Sequence, residues 1–177
     1  MLRLRVLTFA LVALVATSAK TIEAAETKAD PRVARVQKDV QELIRGLYHG
    51  DIESILSFTH PAIIEMMGGS EAARATVAEM VQPISRLGMK IESFSFPRAP
   101  VFLQGGGRSF VIVPTLMVIA AQGQRVESFN FQLGILEPGS DHWTYVEGSR
   151  INKENVQQLF PGFPSNYEFP EFYRKKL

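Results

Sequence analysis

The side chains best suited to acid–base chemistry lie in one neighbourhood of the sequence. Tyr48 is followed by His60 and Glu65, which both lie in the segment SFTHPAIIEMMGGSEAA, residues 57–73. Imidazole titrates near neutral pH, and a carboxyl group among apolar side chains has a raised pKa, so both groups could exchange protons with a substrate. His60 and Glu65 are five residues apart with Pro61 between them, so their spacing does not put them on one face.

The same residues also have a structural interpretation, which the sequence favours. A residue before proline is driven out of helical space, so His60 can begin a helix with its ring held by a local hydrogen bond. Glu65 lies in AIIEMM and can point either into a cavity or to solvent. Gly68 and Gly69 suit a helix end. On this interpretation, residues 57–73 only contain the boundaries between short helices.

Other chemistries lack their signatures. Three histidines without HxH or HxxxH spacing and no cysteine predict no metal site, no disulfide and no thiolate chemistry. There is no G-x-S-x-G motif, and the glycines at 105–107 open no helix, so we interpret them as a turn. We expect no cofactor. The basic end YRKKL, residues 173–177, is typical of a solvated chain end rather than a nucleic-acid site.

The first residues have the pattern of an export signal. Arg3 and Arg5 precede the uncharged run VLTFALVALVA, residues 6–16, and the small residues TSA follow. The run is shorter than the roughly 20 residues that a helix needs to span a bilayer, although an uncleaved anchor is the alternative. We predict a signal peptide over residues 1–19, a flexible spacer over 20–30, and a periplasmic or secreted protein without a stable membrane anchor.

The net charge of the chain limits the kinds of partner that it can bind. Loss of Arg3 and Arg5 would lower the formal net charge from +1 to about −1. A nearly neutral chain is a poor match for nucleic acid or for an anionic membrane surface. The remaining residues are enough for one domain with its own core.

The helices are predicted in the first half of the chain. Asp30 and Pro31 form a helix start, and apolar residues then recur every three or four positions up to Leu47, with Gly50 as the stop. Two short helices follow, over 52–58 and 61–67. A fourth begins near Ser70, and Pro83 should kink or divide it.

After Gly88 the period changes from helical to extended. Strands are predicted in residues 89–99, 101–104, 108–121, 125–137 and 142–148, and Pro114 should produce a bulge or bend in the longest one. A short helix over 152–160 follows. Helices followed by antiparallel strands predict an α+β fold, in which the N-terminal helices pack on a curved antiparallel sheet and form a cone over residues 31–160. Residues 161–177 are predicted to be an extended C-terminal tail along the surface.

This order of elements resembles the nuclear transport factor 2-like superfamily, which includes SnoaL-like and ketosteroid isomerase-like proteins. The resemblance is carried by GDIESILSFTHPAIIEMMGG, residues 50–69, and by a last strand with Trp143, Tyr145 and the pair Glu147-Gly148. It covers residues 31–150. It implies a cone-shaped pocket and a homodimer that pairs through the sheet, but it does not imply one reaction.

The resemblance also suggests residues for the pocket. Isomerase-like members use a tyrosine on the first helix, where Tyr48 stands, together with two acidic residues on the sheet. We assign the cavity side of the sheet to Phe129 and Phe131, with Leu133, and these side chains cannot move protons. This departure argues against isomerase chemistry. Trp143 and Tyr145 either line the pocket or belong to the core.

Three hypotheses follow. The favoured one is an exported domain without enzymatic activity that binds a small apolar molecule, or a partner, through the cone or the sheet face. The second is an isomerase, dehydratase or hydrolase, which needs at least two of Tyr48, His60 and Glu65 in one pocket within about 5 Å of each other. The third is a structural dimer that pairs through a polar sheet face of Ser128, Asn130 and Gln132.

Overall fold

The structure, a computed structural model, describes residues 30–177. The predicted signal peptide and all of the predicted spacer except Asp30 lie outside the described residues. Within residues 30–177, no helix is long and apolar enough to cross a membrane.

Helix α1 (Pro31–His49) forms where the capping residues predict it. The Asp30 carboxylate accepts a hydrogen bond from the Arg32 backbone N–H at 3.0 Å, and Pro31 occupies the first turn. The stripe of Val36, Val40 and Ile44 is buried against the sheet. Gly50 ends the helix with φ +70°, a conformation that glycine adopts without steric cost.

Three further helices complete the N-terminal half: α2 (Ile52–Phe58), α3 (Pro61–Met66) and α4 (Ser70–Arg86). Gly68 and Gly69 separate α3 from α4 with φ +97° and +92°. Of the predicted kink or division at Pro83, the division is wrong, because α4 continues through this residue to Arg86. Pro83 lies only three residues before the helix end, and both it and Glu79, whose carbonyl loses its partner, are exposed to water.

The sheet is built on a long hairpin of β3 (Arg108–Ala121) and β4 (Gln124–Leu136). Two edge strands, β1 (Lys90–Ser95) and β2 (Val101–Gly105), pair with successive halves of β3. Two others, β5 (Thr144–Glu147) and β6 (Tyr173–Lys176), pair with successive halves of β4. All pairings are antiparallel, and the sheet is curved and unclosed. The predicted α+β fold with N-terminal helices and a curved sheet is therefore confirmed.

Pro114 does not produce the predicted bulge. Its register with Phe131 of β4 continues without interruption. On the other edge of β3, the partners of β2 end at Ile112 and those of β1 begin at Leu116, so Pro114 falls in the gap between them. A residue without an N–H is tolerated at such a position. The register shift occurs instead in β1, between Ile91 and Ser93.

The sheet is buried on both faces around residues 110–113 of β3 and 131–135 of β4. The inner face packs against the N-terminal helices through a cluster made of Val36, Val40, Ile44, Phe58, Val111, Val113, Trp143 and Tyr145. The outer face packs against helix α5 (Lys153–Leu159) and the residues after it, through Phe110, Ile112, Phe131, Leu133, Ile135, Val156, Phe160 and Phe163.

The C-terminal segment, residues 161–177, is part of the core and not only a tail along the surface. Phe163 packs edge-on against Phe110 with ring centroids 5.1 Å apart, and Phe169 stacks on Phe131 at 5.4 Å. Its last residues form β6, which the sequence did not predict. Alternating aromatic residues and prolines gave no strand or helix period, so only the tertiary contacts reveal its place.

Candidate functional site

A cavity of about 280 Å³ lies between the N-terminal helices and the inner face of the sheet. Its helical side is largely apolar and includes Leu43, Ile44, Leu47, Ile55, Ile63, Met67 and Met80, with Tyr48, Thr59 and Thr76 as the polar members. Leu43, Leu47 and Ile44 come from adjacent turns of α1, since residues three or four apart share one helix face. The cavity is therefore walled on one side by the apolar stripe that the sequence predicts.

The sheet side of the cavity is polar. Its lining residues on β3 and β4 include Thr115, Ser128, Asn130 and Gln132, with Met117 and Ile119 towards the end of β3. Ser128, Asn130 and Gln132 alternate along β4, so they share one face of the strand. Each is paired across the hairpin with a residue of β3, and Thr115 lies opposite Asn130.

The assignment of Phe129 and Phe131, with Leu133, to the cavity wall is therefore corrected. These side chains point to the outer face, where Phe129 stacks on Tyr173 and Phe131 stacks on Phe169. The alternation itself was right, but the sequence did not show that a second apolar layer covers the outer face. Phe131 also borders an open groove on that face, beside α5, together with Phe169 and Phe172.

The polar face of β4 cannot serve as the dimer surface proposed from the sequence. Ser128 and Gln132 are each only 6% exposed, because the N-terminal helices cover them. On the outer face, α5 and the C-terminal segment cover the part around Phe110, Phe131 and Ile135. A pairing of two copies through either of these covered parts would require displacement of a layer.

Two polar side chains in the cavity lining are uncommitted, which means that they form no hydrogen bond with any group in residues 30–177. They are the Ser128 hydroxyl and the Gln132 side-chain amide, although both residues are buried. Thr115 differs, since its hydroxyl donates to the Asn130 carbonyl at 3.3 Å. Within the described part of the chain no fully buried side-chain N or O atom lacks a partner, so the uncommitted groups reach the cavity surface. There they can bind water or a ligand.

The carboxylate at the cavity is already engaged. Asn130 donates its side-chain N–H to Glu147 Oε1 at 2.9 Å, and Arg150 Nε lies 3.8 Å from Glu147 Oε2. Glu147 is held by strand β5, whose residue 147 is paired with Gln132. Glu147 and Arg150 carry opposite charges, although their contact is long and exposed and is therefore a weak ion pair.

Tyr48 and Tyr145 both line the cavity, but only the Tyr145 hydroxyl forms a hydrogen bond within the described part of the chain. Tyr145 donates its hydroxyl to Asp39 Oδ2 of α1 at 3.2 Å; burial, reinforced by the Asp39 charge, raises the pKa of the phenol strongly. Burial also raises the pKa of Tyr48, and the positive charge of Arg174 opposes that rise. Both phenols therefore stay protonated at neutral pH, and the Tyr48 hydroxyl has no hydrogen-bond partner among the described residues.

His60 lies outside the cavity and has a structural role. Its Nδ1 accepts the Ala62 backbone N–H at 3.1 Å and so caps α3, which leaves the proton of the neutral ring on Nε2. Nε2 is 3.3 Å from Glu137 Oε1, and Arg108 Nε lies 2.8 Å from the same oxygen. The ring also packs edge-on against Phe160. The local hydrogen bond predicted for this residue is present.

Burial lowers the pKa of His60, and the hydrogen bond with Glu137 only partly offsets that effect. Partial burial of Glu137 raises the pKa of its carboxyl, but the hydrogen bonds from Arg108 and His60 together outweigh it and lower the pKa. Arg108, Glu137 and His60 thus connect the base of the β3–β4 hairpin to the start of α3.

The remaining predicted residues are dispersed. Glu65 is exposed on α3, and Trp143 is buried in the inner core, where its ring packs edge-on against Phe102. Of Tyr48, His60 and Glu65, only Tyr48 lines the cavity. Among residues 30–177 there is no group of three His, Cys, Asp or Glu side chains placed to hold a metal ion.

Sequence reasoning missed Arg174. This residue lies on β6, where it is paired with Ser128 of β4, and it lines the cavity. Arg174 reaches the cavity only because the C-terminal segment crosses the outer face of the sheet and ends as strand β6 beside β4. The basic cluster at residues 174–176 was the only signal in the sequence, and it indicated a solvated end.

Comparisons with protein-family models, with curated proteins and with solved structures found no match for this chain. The resemblance to the nuclear transport factor 2-like superfamily therefore stays a prediction, and the site has to be interpreted from its own geometry.

Proposed function

We propose that this protein binds a small, largely apolar molecule in the cavity between its N-terminal helices and its sheet. The observation that carries the proposal is the contrast between the two walls: a largely apolar helical wall faces strand residues that include Ser128 and Gln132, whose hydroxyl and amide are uncommitted. Ligand sites in proteins are mostly apolar with a few polar groups that orient the ligand, and their volumes start near 300 Å³. A cavity of about 280 Å³ suits a small ligand.

The alternative hypothesis, that the protein is an isomerase, dehydratase or hydrolase, gains no support from the described residues. It requires at least two of Tyr48, His60 and Glu65 in one pocket, whereas His60 caps α3 and Glu65 is exposed. Tyr48 stays protonated at neutral pH and cannot act as a base there. Glu147 is engaged by Asn130 and Arg150. Binding without chemistry is the simpler function for this set of side chains.

We further propose that the domain works after export, on the basis of Arg3, Arg5 and the apolar run over residues 6–16. Expression of the full chain in a bacterial host, followed by N-terminal sequencing of the fraction outside the cytoplasm, tests this. Export predicts a new terminus near Lys20. A protein that stays in the cytoplasm with Met1 intact would contradict it.

Membership of the nuclear transport factor 2-like superfamily is proposed on the order of the elements: four helices, then a curved antiparallel sheet. A homodimer that pairs through the sheet remains part of the proposal, and the part of the sheet around β1, where residues are exposed or half-buried, is where the two copies would meet. Light scattering over a range of concentrations tests it, since a monomer at all concentrations would exclude it.

The binding proposal is tested by thermal unfolding in the presence of a library of small apolar molecules. A ligand at 100 times its Kd stabilises the folded state by about 2.7 kcal/mol, which is roughly 5–10 °C in Tm for a domain of this size. Ser128→Phe places a ring in the cavity and should abolish the shift. Ser85→Phe, at an exposed position of α4, should leave it unchanged. No shift with any compound, or an equal shift in Ser128→Phe, would contradict the proposal.

A further inference from the structure

One end of the cavity carries a positive charge that no described residue neutralises. The charged side chains in the cavity lining are Glu147, Arg150 and Arg174. Glu147 and Arg150 pair with each other at 3.8 Å. Within residues 30–177, Arg174 has neither an ion pair nor a side-chain hydrogen bond, and it lies exposed at the rim of the cavity. With one carboxylate and two guanidinium groups, the lining has a net positive charge.

Neutral donors lie beside this charge. Arg174 is paired in register with Ser128, so the two side chains lie on the same face of the sheet. Tyr48, at the end of α1, lines the cavity with them, and its pKa responds to the Arg174 charge. The hydroxyls of Tyr48 and Ser128 are both uncommitted in the described part of the chain. Three donors thus belong to the same part of the lining, while the rest of the helical wall is largely apolar.

We propose that the ligand is an amphipathic monocarboxylate, and that Arg174 selects it by binding the carboxylate while the apolar body lies against α1 and α4. This inference rests on the proposed binding function and names its ligand class. A single guanidinium presents a planar pair of N–H donors that matches a carboxylate. A phosphate monoester carries about −1.5 to −2 charges at neutral pH and would leave part of that charge uncompensated by one arginine.

The volume limits the size of this ligand. At about 30 Å³ for each water molecule, the cavity of about 280 Å³ holds roughly nine waters. A ligand of about ten non-hydrogen atoms therefore fills it. Octanoate has this size, and octanamide is its neutral counterpart of the same shape. Comparing the two isolates the contribution of the charge.

The experiment is calorimetric titration of the purified protein with octanoate and with octanamide. We expect octanoate to bind at least tenfold more tightly, because only the carboxylate can form a bidentate ion pair with the guanidinium. Arg174→Gln should reduce octanoate affinity about tenfold and leave octanamide affinity unchanged. Lys175→Gln removes the same charge from the next residue of β6, whose side chain points to the opposite face, and should change neither affinity.

The outcomes separate the two proposals. Equal affinity for octanoate and octanamide would overturn the carboxylate inference and leave binding in the cavity standing. An equal loss in Arg174→Gln and Lys175→Gln would also overturn it, since the effect would then be one of overall charge. Failure of both compounds to bind native protein, together with no response to the wider library, would overturn the inference and the proposed function together.

Discussion

At the scale of single residues, the polar side chains of this protein divide into engaged and uncommitted groups. His60 is engaged on both ring nitrogens, by the Ala62 N–H and by Glu137. Gln157 donates to the Phe163 carbonyl at 2.6 Å. Gln132 and Ser128 have no such partners among the described residues, although they are buried to the same degree as His60. Engaged groups should matter for stability, and uncommitted ones for binding.

His60 predicts a pH dependence of stability. Its pKa in the folded state lies below the ordinary value of 6.5, so the unfolded chain binds the proton more readily. The stability that the neutral ring contributes is fully present above about pH 6.5 and is lost as the pH falls from there towards the folded pKa. Arg108, Glu137 and Phe160 are the groups that face the ring.

Urea unfolding at a series of pH values between 7.5 and 5.5 measures this effect. His60→Asn keeps a side-chain oxygen that can cap α3 but removes the titration. The free energy of unfolding of the variant should change less over this range than that of the native protein. Parallel curves for the two proteins would show that the His60 ring does not carry the pH dependence.

The two glutamines predict opposite effects on stability. Gln132→Leu replaces an uncommitted amide with an apolar group of similar size, so the free energy of unfolding should stay the same or rise by about 1 kcal/mol. Gln157→Leu leaves the Phe163 carbonyl without its donor and should cost about 1–3 kcal/mol. Chemical denaturation of both variants makes the comparison. A comparable loss in Gln132→Leu would mean that its amide is engaged after all.

At the scale of elements, the C-terminal segment determines which face of β4 meets the cavity. Its aromatic side chains cover the outer face and bury Phe110 and Phe131 there. The polar positions of the strand are then left to face the helices. Its last strand, β6, adds Arg174 to the rim of the cavity. A segment far from the helices in sequence thus shapes the site.

This role predicts that the segment contributes to global stability. Phe163 is only 3% exposed, so Phe163→Ala should lower the free energy of unfolding by about 3–5 kcal/mol. Phe172 is 57% exposed, and Phe172→Ala should stay within about 0.5 kcal/mol of the native protein. Denaturant unfolding of the two variants provides the measurement. A small effect at Phe163 would indicate that the segment is only loosely attached.

Sequence patterns were sufficient for the elements whose signals are local. Asp30 with Pro31 and Gly50 marked the two ends of α1, because capping depends on the few residues at each end. The alternation in β4 was also correct in period. Its orientation was not, because a strand buried on both faces gives no local sign of which apolar layer belongs to which side.

At the scale of the whole molecule, the cavity is the space that the helices and the curved sheet leave unfilled. The helical wall could be predicted from the stripe on α1, and the existence of a hollow from the order of elements. The uncommitted polar wall and Arg174 could not, since they depend on the return of a chain end across the sheet. The central claim is that this hollow, rather than the open groove beside α5, is where a ligand binds.

Methionine methyl groups test this claim directly, because some of them line the cavity and another lies outside it. Met67, Met80 and Met117 line the cavity, whereas Met66 is 68% exposed and does not. In protein labelled with ¹³C at the methionine methyl groups, titration with octanoate should shift the signals of the three cavity methionines and leave that of Met66 unchanged. Saturating shifts confined to Met66, or binding with no change at the three cavity methionines, would contradict the account.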